Sequence, residues 1–192
     1  TIQNKITHKE IIQIFGDYWP SVLKDTLVDN LTSSSVGIVN NEIEKADKEN
    51  EGENGLKAGQ RLYKNTIDYI KELKRIIPAD LKFELLSDKL AESIINSSAN
   101  YFNHFFETET EAGEDALKLL LKAKDVAIGD KPKERIKKNI DIFQTYIDDK
   151  QERKKMLPIK NELDFIRNKL DTFNVAGQKY MDMPVLTQKF IN

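Results

Sequence analysis

Residues 80–106 read DLKFELLSDKLAESIINSSANYFNHFF, and this stretch decides the fold class. Phe83, Leu86, Leu90, Ile94, Tyr101 or Phe102, and Phe105 recur at intervals that keep them on one stripe of a 3.6-residue helix. A strand would need period-two alternation, which is not sustained here. Asp80 stands where a side-chain oxygen can accept the free N–H groups of a first helical turn. Pro78 ends the element before it. The stretch predicts one long amphipathic helix.

The same spacing extends outward in both directions. On the N-terminal side, Leu56 to Ile77 reads as a long helix with Leu62, Ile67, Ile70, Leu73 and Ile77 on or beside one stripe. On the C-terminal side, an acidic segment from Glu107 to Asp115 bridges to a helix carrying Ala116, Leu117, Leu120, Ala123 and Val126. Gly129 and Asp130 form a stop-and-start signal, with Pro132 in the first turn of a helix that uses Ile136, Ile140, Phe143 and Ile147. Pro158 marks a further start, and Ile159, Leu163, Ile166, Leu170 and Phe173 make the cleanest stripe in the chain. After residue 174 the pattern fades into a tail.

The N-terminal segment, residues 1–50, is more weakly patterned. Thr7-His8-Lys9-Glu10 is a capping box ahead of Ile11, Ile12, Ile14 and Phe15. Pro20 suits the first turn of a helix that buries Val22, Leu23, Leu27 and Leu31. Thr32-Ser33-Ser34-Ser35 is a weak helix interior and predicts a break or a serine-capped restart before Val36, Ile38, Val39 and Ile43. The polar stretch 47–59, with Gly52, Gly55 and Gly59, predicts a mobile link to a main helical body over 56–173. The expectation is a single all-α domain over 1–192, a multi-helix bundle or stacked antiparallel hairpins of about seven helices.

Composition narrows the class. Hydrophobic residues make up 39 % and charged residues 32 % of 192, as expected when each helix exposes a wide polar face. A net charge of −2 gives no global electrostatic pull toward nucleic acid or an anionic membrane. No apolar run approaches the length of a membrane span. With no cysteine the chain has no disulfide, thiolate metal site or thiol nucleophile, which agrees with the cytoplasm or another reducing compartment. The chain starts at Thr1 without a signal-peptide pattern and reads as an excised domain or a processed product.

Leu90-Ala91, Ser98 and Tyr101, followed by Ala116, Leu120, Ala123 and Val126 at small-large-small spacing, resemble the two helices of a tetratricopeptide-type hairpin over about residues 90–147. The Gly129-Asp130-Lys131-Pro132 turn leads onward as the next repeat would. The link between the two helices is longer than the repeat's, and the first-helix Trp-Leu-Gly pattern is missing. The resemblance implies a surface that binds peptides or proteins.

No stretch of the sequence completes a motif for chemistry. The glycines of 52–59 lack the preceding strand and the Gly-Lys-Ser/Thr ending of a phosphate loop. Asp47, Glu49, Glu51 and Gly52 approach a calcium loop, but Ala58 stands where a bidentate Glu belongs. His8 and His104 are far apart, and neither has convergent partners in sequence. Ser33 to Ser35 lack a nucleophile elbow. Glu107, Glu109, Glu111, Glu114 and Asp115 lack the Glu-x-x-His pattern of di-metal bundles and suit a helix N-terminus. No catalytic, metal or cofactor site is expected.

Two surfaces remain. Tyr101, Phe102, Phe105 and Phe106 cover more than one helix face; core packing is their plainer role, but one or two left at a groove would make this the first candidate binding surface. Nine basic residues against five acidic ones over Lys131 to Lys155, with Lys137, Lys138, Arg153, Lys154 and Lys155 foremost, could track a phosphate backbone. The favoured expectation is a non-catalytic protein-interaction module of a larger protein. A nucleic-acid-binding domain is the alternative, and a helical enzyme without a recognisable motif the next.

Overall fold

The computed structural model describes residues 20–78, 80–108 and 111–181, with 21, 24 and 175–181 described in backbone only. Over these residues the chain forms α1 (Ser21–Glu49), a 3-10 turn (Gly52–Asn54), α2 (Gly55–Ile76), α3 (Leu81–Phe105), α4 (Ala112–Val126) and α5 (Asp130–Met181). No strand occurs among the described residues. The capping box at Thr7–Glu10 with His8, the helix expected at Ile11–Phe15, Trp19, Glu109 and the end of the tail lie outside them.

The described residues hold five α-helices, where the sequence suggested about seven for the chain. Two expected boundaries are absent. The serine-rich stretch does not break α1, because its hydroxyls bond within or across helices. Thr32 Oγ1 donates to the Val28 carbonyl at 2.8 Å, Ser33 Oγ to the Asn30 carbonyl at 3.3 Å, and Ser35 Oγ to Glu72 Oε2 on α2 at 3.4 Å. Pro158 starts no helix either; it lies inside α5. Its ring removes one backbone donor, but the Lys, Gln, Glu, Arg, Met and Leu that precede it are strong helix formers.

Other boundaries follow the sequence. Asp80 Oδ1 accepts the Lys82 N–H at 2.7 Å, capping α3. Pro78 lies just beyond the end of α2. The expected link over 47–59 is mostly helical, with residues 50–54 as the connection between α1 and α2. Gly52 there takes a left-handed φ of 51° against the His104 ring, a conformation that side chains rarely adopt.

The chain divides into two units, Thr1–Ile147 and Asp148–Asn192. In the first, cross-helix contacts set the direction of each neighbour. Ser35–Glu72, Glu42–Asn65 and Glu49–Arg61 fall on α2 as they rise on α1, so these helices are antiparallel. Ser87–Val126 and Ser98–Ala116 make α3 and α4 antiparallel in the same way. Asp29–Lys82, Asn40–Lys89 and Asp47–Ser93 rise together, so α1 runs parallel to α3. Glu92–Arg135 and Phe102–Phe143 align the first part of α5 with α3.

Helix α3 therefore touches four neighbours, and its burial extends well beyond one stripe. Phe83, Leu86, Leu90, Ala91, Ile94, Ile95, Tyr101 and Phe102 are all buried. Three of the four buried serines of this crowded helix, Ser87, Ser93 and Ser98, reach acceptors on neighbouring elements, while the Ser97 hydroxyl is buried without one. Ser87 Oγ donates to the Val126 carbonyl and Ser98 Oγ to the Ala116 carbonyl, each at 2.7 Å. Small residues on α2 let it come close: a Cβ at Gly59 would sit 2.6 Å from Leu119 Cδ2 and 2.9 Å from Ser97 Cβ. Val39, Ile43, Leu62, Leu73, Leu119, Leu120 and Phe143 complete the core, each worth ~1.5–3 kcal/mol of transfer free energy.

The described part of the second unit is helix. Every side chain from residue 151 to 174 is exposed, including the full Ile159–Phe173 stripe. No described helix is long and apolar enough to cross a membrane.

Candidate interaction surface

The four aromatics near the end of α3 do not share one environment. Tyr101 and Phe102 are in the core. Phe102 packs on Phe143 with ring centroids 4.5 Å apart and edge-on against Tyr146 at 5.1 Å. Phe105 is half-buried against Tyr101 at 5.1 Å and His104 at 4.5 Å. Phe106 alone is exposed. The Tyr146 hydroxyl donates to the Phe106 carbonyl, so the end of α3 is tied to α5.

The basic candidates are split between the units. Lys137 and Lys138 are exposed in the first, and Arg153, Lys154 and Lys155 are exposed in the second. Arg135 is committed elsewhere: it pairs with Glu92 and donates to Asn96 Oδ1 at 3.0 Å.

The acidic candidates are occupied or dispersed. Asp47 Oδ1 accepts the Ser93 hydroxyl at 2.6 Å, and Glu49 pairs with Arg61 at 2.7 Å. Glu107 is exposed beyond α3, while Glu114 and Asp115 occupy the first turn of α4, where carboxylates complement the free N–H groups. Among the described residues no group of three or more His, Asp or Glu could hold a metal ion.

One cavity of about 240 Å³ lies among α1, α2 and α3, lined by Val28, Thr32, Val36, Leu73, Phe83 and Leu86, with the Asp29–Lys82 ion pair of 2.9 Å also on its wall. Its volume is below the usual ~300–1,000 Å³ of a ligand pocket. The Asp29 carboxylate, by hydrogen bond and then by charge, holds the Lys82 ammonium above the usual lysine range. Apart from that exposed pair the lining is mainly apolar. A wider depression of about 680 Å³ near Lys48, Glu51, Lys57 and Arg61 is open and of mixed charge.

The most distinctive surface is on α5 within the second unit. Met156, Ile159, Leu163, Ile166, Leu170 and Phe173 alternate at spacings of three and four over three heptads. Such spacing defines a coiled-coil seam, with Met156, Leu163 and Leu170 at a and the others at d. All six are exposed, from 48 % at Ile166 to 73 % at Phe173. A helix facing only water gains nothing from such a stripe. The flanking e and g positions are Lys155, Lys160, Glu162, Arg167, Lys169 and Asn174, all exposed. Lys169 also lies over the Phe165 ring, 5.6 Å from its centroid.

The sequence marks Ile159 to Phe173 as one stripe of the expected main helical body, without assigning it a binding role. Its strict three-four alternation and basic flanks were the available signal for a seam. The chain matches no family model, no curated protein and no solved structure.

Proposed function

We propose that this chain is a non-catalytic protein-interaction module whose principal contact surface is the α5 seam. The observation that carries the reading is the exposure of six heptad-spaced apolar side chains, Met156 to Phe173. Contiguous exposed apolar surface of this kind marks an association site more often than a solvated face does. The buried positions of Tyr101 and Phe102 leave Phe106, with part of Phe105, as the only contribution the aromatic cluster can make to such a surface. The tetratricopeptide-type resemblance points to the same class of function. Its residues Leu90, Ala91, Ser98, Tyr101, Ala116, Leu120, Ala123 and Val126 are all spent on burial.

The nucleic-acid reading has less support. Acidic Asp141, Asp148, Asp149 and Glu152 interleave with the basic run, and Arg135 is held by Glu92.

Cross-linking in cell extract, comparing the chain with its Leu163→Asp/Leu170→Asp variant, tests the proposal. A discrete partner cross-linked by the first and lost from the second is expected. Identical cross-linked products from both would sink it.

A further inference from the structure

The seam carries more information than its apolar character, because its flanks are charged asymmetrically. Among the e and g positions, Lys155, Lys160, Arg167 and Lys169 are cationic, Glu162 is anionic and Asn174 is neutral. The carboxylates Asp164 and Asp171 occupy b positions, farther from the seam. In a coiled coil the e and g side chains border the apolar core and face those of the other helix. The charge that would meet a partner is therefore basic, although the whole chain carries −2.

Building on the interaction reading, we infer that the seam takes an amphipathic partner helix with apolar a and d positions and acidic e and g positions. A second copy fits less well. In a parallel pair Glu162 would meet Arg167 of the other copy, but Lys155 would meet Lys160. In an antiparallel pair Glu162 would meet Lys169, but Lys160 would meet Arg167. Each attraction is offset by a like-charge contact. An acidic-flanked helix turns all four cations into attractions, against a single like-charge contact at Glu162.

The area argues that these charges matter. Six side chains about half exposed or more offer roughly 600 Å² per helix, so a helix pair buries about 1,200 Å², the low end for a specific interface. Apolar burial alone leaves such a pair weak, and edge charges then select the partner. A membrane surface is the other anionic surface to consider, but a helix lying in a bilayer interface needs a continuous wide apolar face, and outside a and d this stretch adds only Leu157 at b and Phe165 at c among its large exposed apolar side chains.

Two synthetic three-heptad peptides, identical at a and d but carrying Glu or Lys at every e and g position, test the inference by fluorescence anisotropy against the full chain. The Glu peptide is expected to bind at least about tenfold tighter than the Lys peptide, and to weaken as salt is raised. Lys160→Glu/Arg167→Glu/Lys169→Glu should reverse that preference, and Leu163→Asp/Leu170→Asp should abolish binding of both. These side chains are exposed, so the variants leave the core untouched. Equal binding of both peptides, or seam-dependent self-association in sedimentation without peptide preference, overturns the acidic-partner inference and leaves the interaction reading standing. Seam-dependent binding to phosphatidylserine vesicles without peptide preference overturns it in favour of a membrane. Binding of neither peptide overturns the inference; an unchanged cross-linking pattern in the Asp variant is the separate result that removes the interaction reading.

Discussion

The carboxylate of Asp88 on α3 receives the backbone N–H of Gly129, with Oδ1 at 3.0 Å and Oδ2 at 3.1 Å, and Oδ1 also accepts the Ile128 N–H at 2.8 Å. One side chain thus ties down the turn that ends α4 and starts α5. A Cβ on Gly129 would lie 2.3 Å from Asp88 Oδ2, so the turn and the carboxylate fit only when residue 129 has no side chain.

Gly129→Ala and Asp88→Ala should each destabilise the first unit by about 1–3 kcal/mol, through the same lost hydrogen bonds. The double variant should cost less than the sum of the two. Urea denaturation of the four proteins checks this; strict additivity would mean the two positions act independently.

Phe143→Ala should cost ~3–5 kcal/mol, because Phe143 is fully buried against Phe102. Phe106→Ala, at an exposed position, should cost about 1 kcal/mol or less, since the carbonyl that Tyr146 reaches is retained. Thermal melts of both variants separate the core members of the aromatic cluster from its surface member. Similar losses would contradict that division.

The acid limb of stability should depend on Glu42. Its carboxyl is held below the usual glutamate range, first by the hydrogen bond from Lys45, at 2.7 Å, and then by that from Asn65, also at 2.7 Å. A carboxyl with a lowered folded-state pKa stabilises above its unfolded pKa and loses that stabilisation as pH falls through the folded value. Glu42→Gln should therefore cost roughly 0.5–1 kcal/mol near neutrality and flatten the stability profile below about pH 4.5. Chemical denaturation across the acid range measures it; parallel profiles for the two proteins would refute the assignment.

Helix starts and stops were legible where local chemistry decides them. Asp80 caps its own helix, Pro78 cannot extend one, and Gly129-Asp130-Pro132 combines a stop with a start. The expected break at Thr32–Ser35 failed because the hydroxyls found acceptors inside α1 and on α2, the latter a tertiary fact. The candidate site was legible only as a pattern. Periodicity marks Ile159 to Phe173 as an apolar face but carries no statement about what covers it. For the four aromatics the pattern could not say which one or two stay at the surface: α3 has neighbours on so many sides that both Tyr101 and Phe102 are buried and Phe106 is left exposed.

Pro158→Ala should strengthen α5, since a proline inside a helix costs ~3 kcal/mol relative to alanine and also removes a donor. More helical signal in far-ultraviolet circular dichroism, persisting to higher temperature, is the expected result. A loss of helicity would show that proline is required at that point.

The two buried α3 hydroxyls that reach α4 have a further consequence. Ser87 and Ser98 stand eleven residues apart, and the carbonyls they reach, Val126 and Ala116, stand ten apart on α4. Those spacings are about 16.5 Å along α3 and about 15 Å along α4, and both bonds nevertheless form at 2.7 Å, so the pegs reach their sockets at both ends at once. Sliding α3 along α4 by one residue would shift it about 1.5 Å, swing every side chain by about 100°, and strand both hydroxyls in a dry interior. Greasy helices could otherwise settle at several neighbouring offsets with little difference between them. Two serines, contributing little apolar burial, act as a vernier that admits a single alignment.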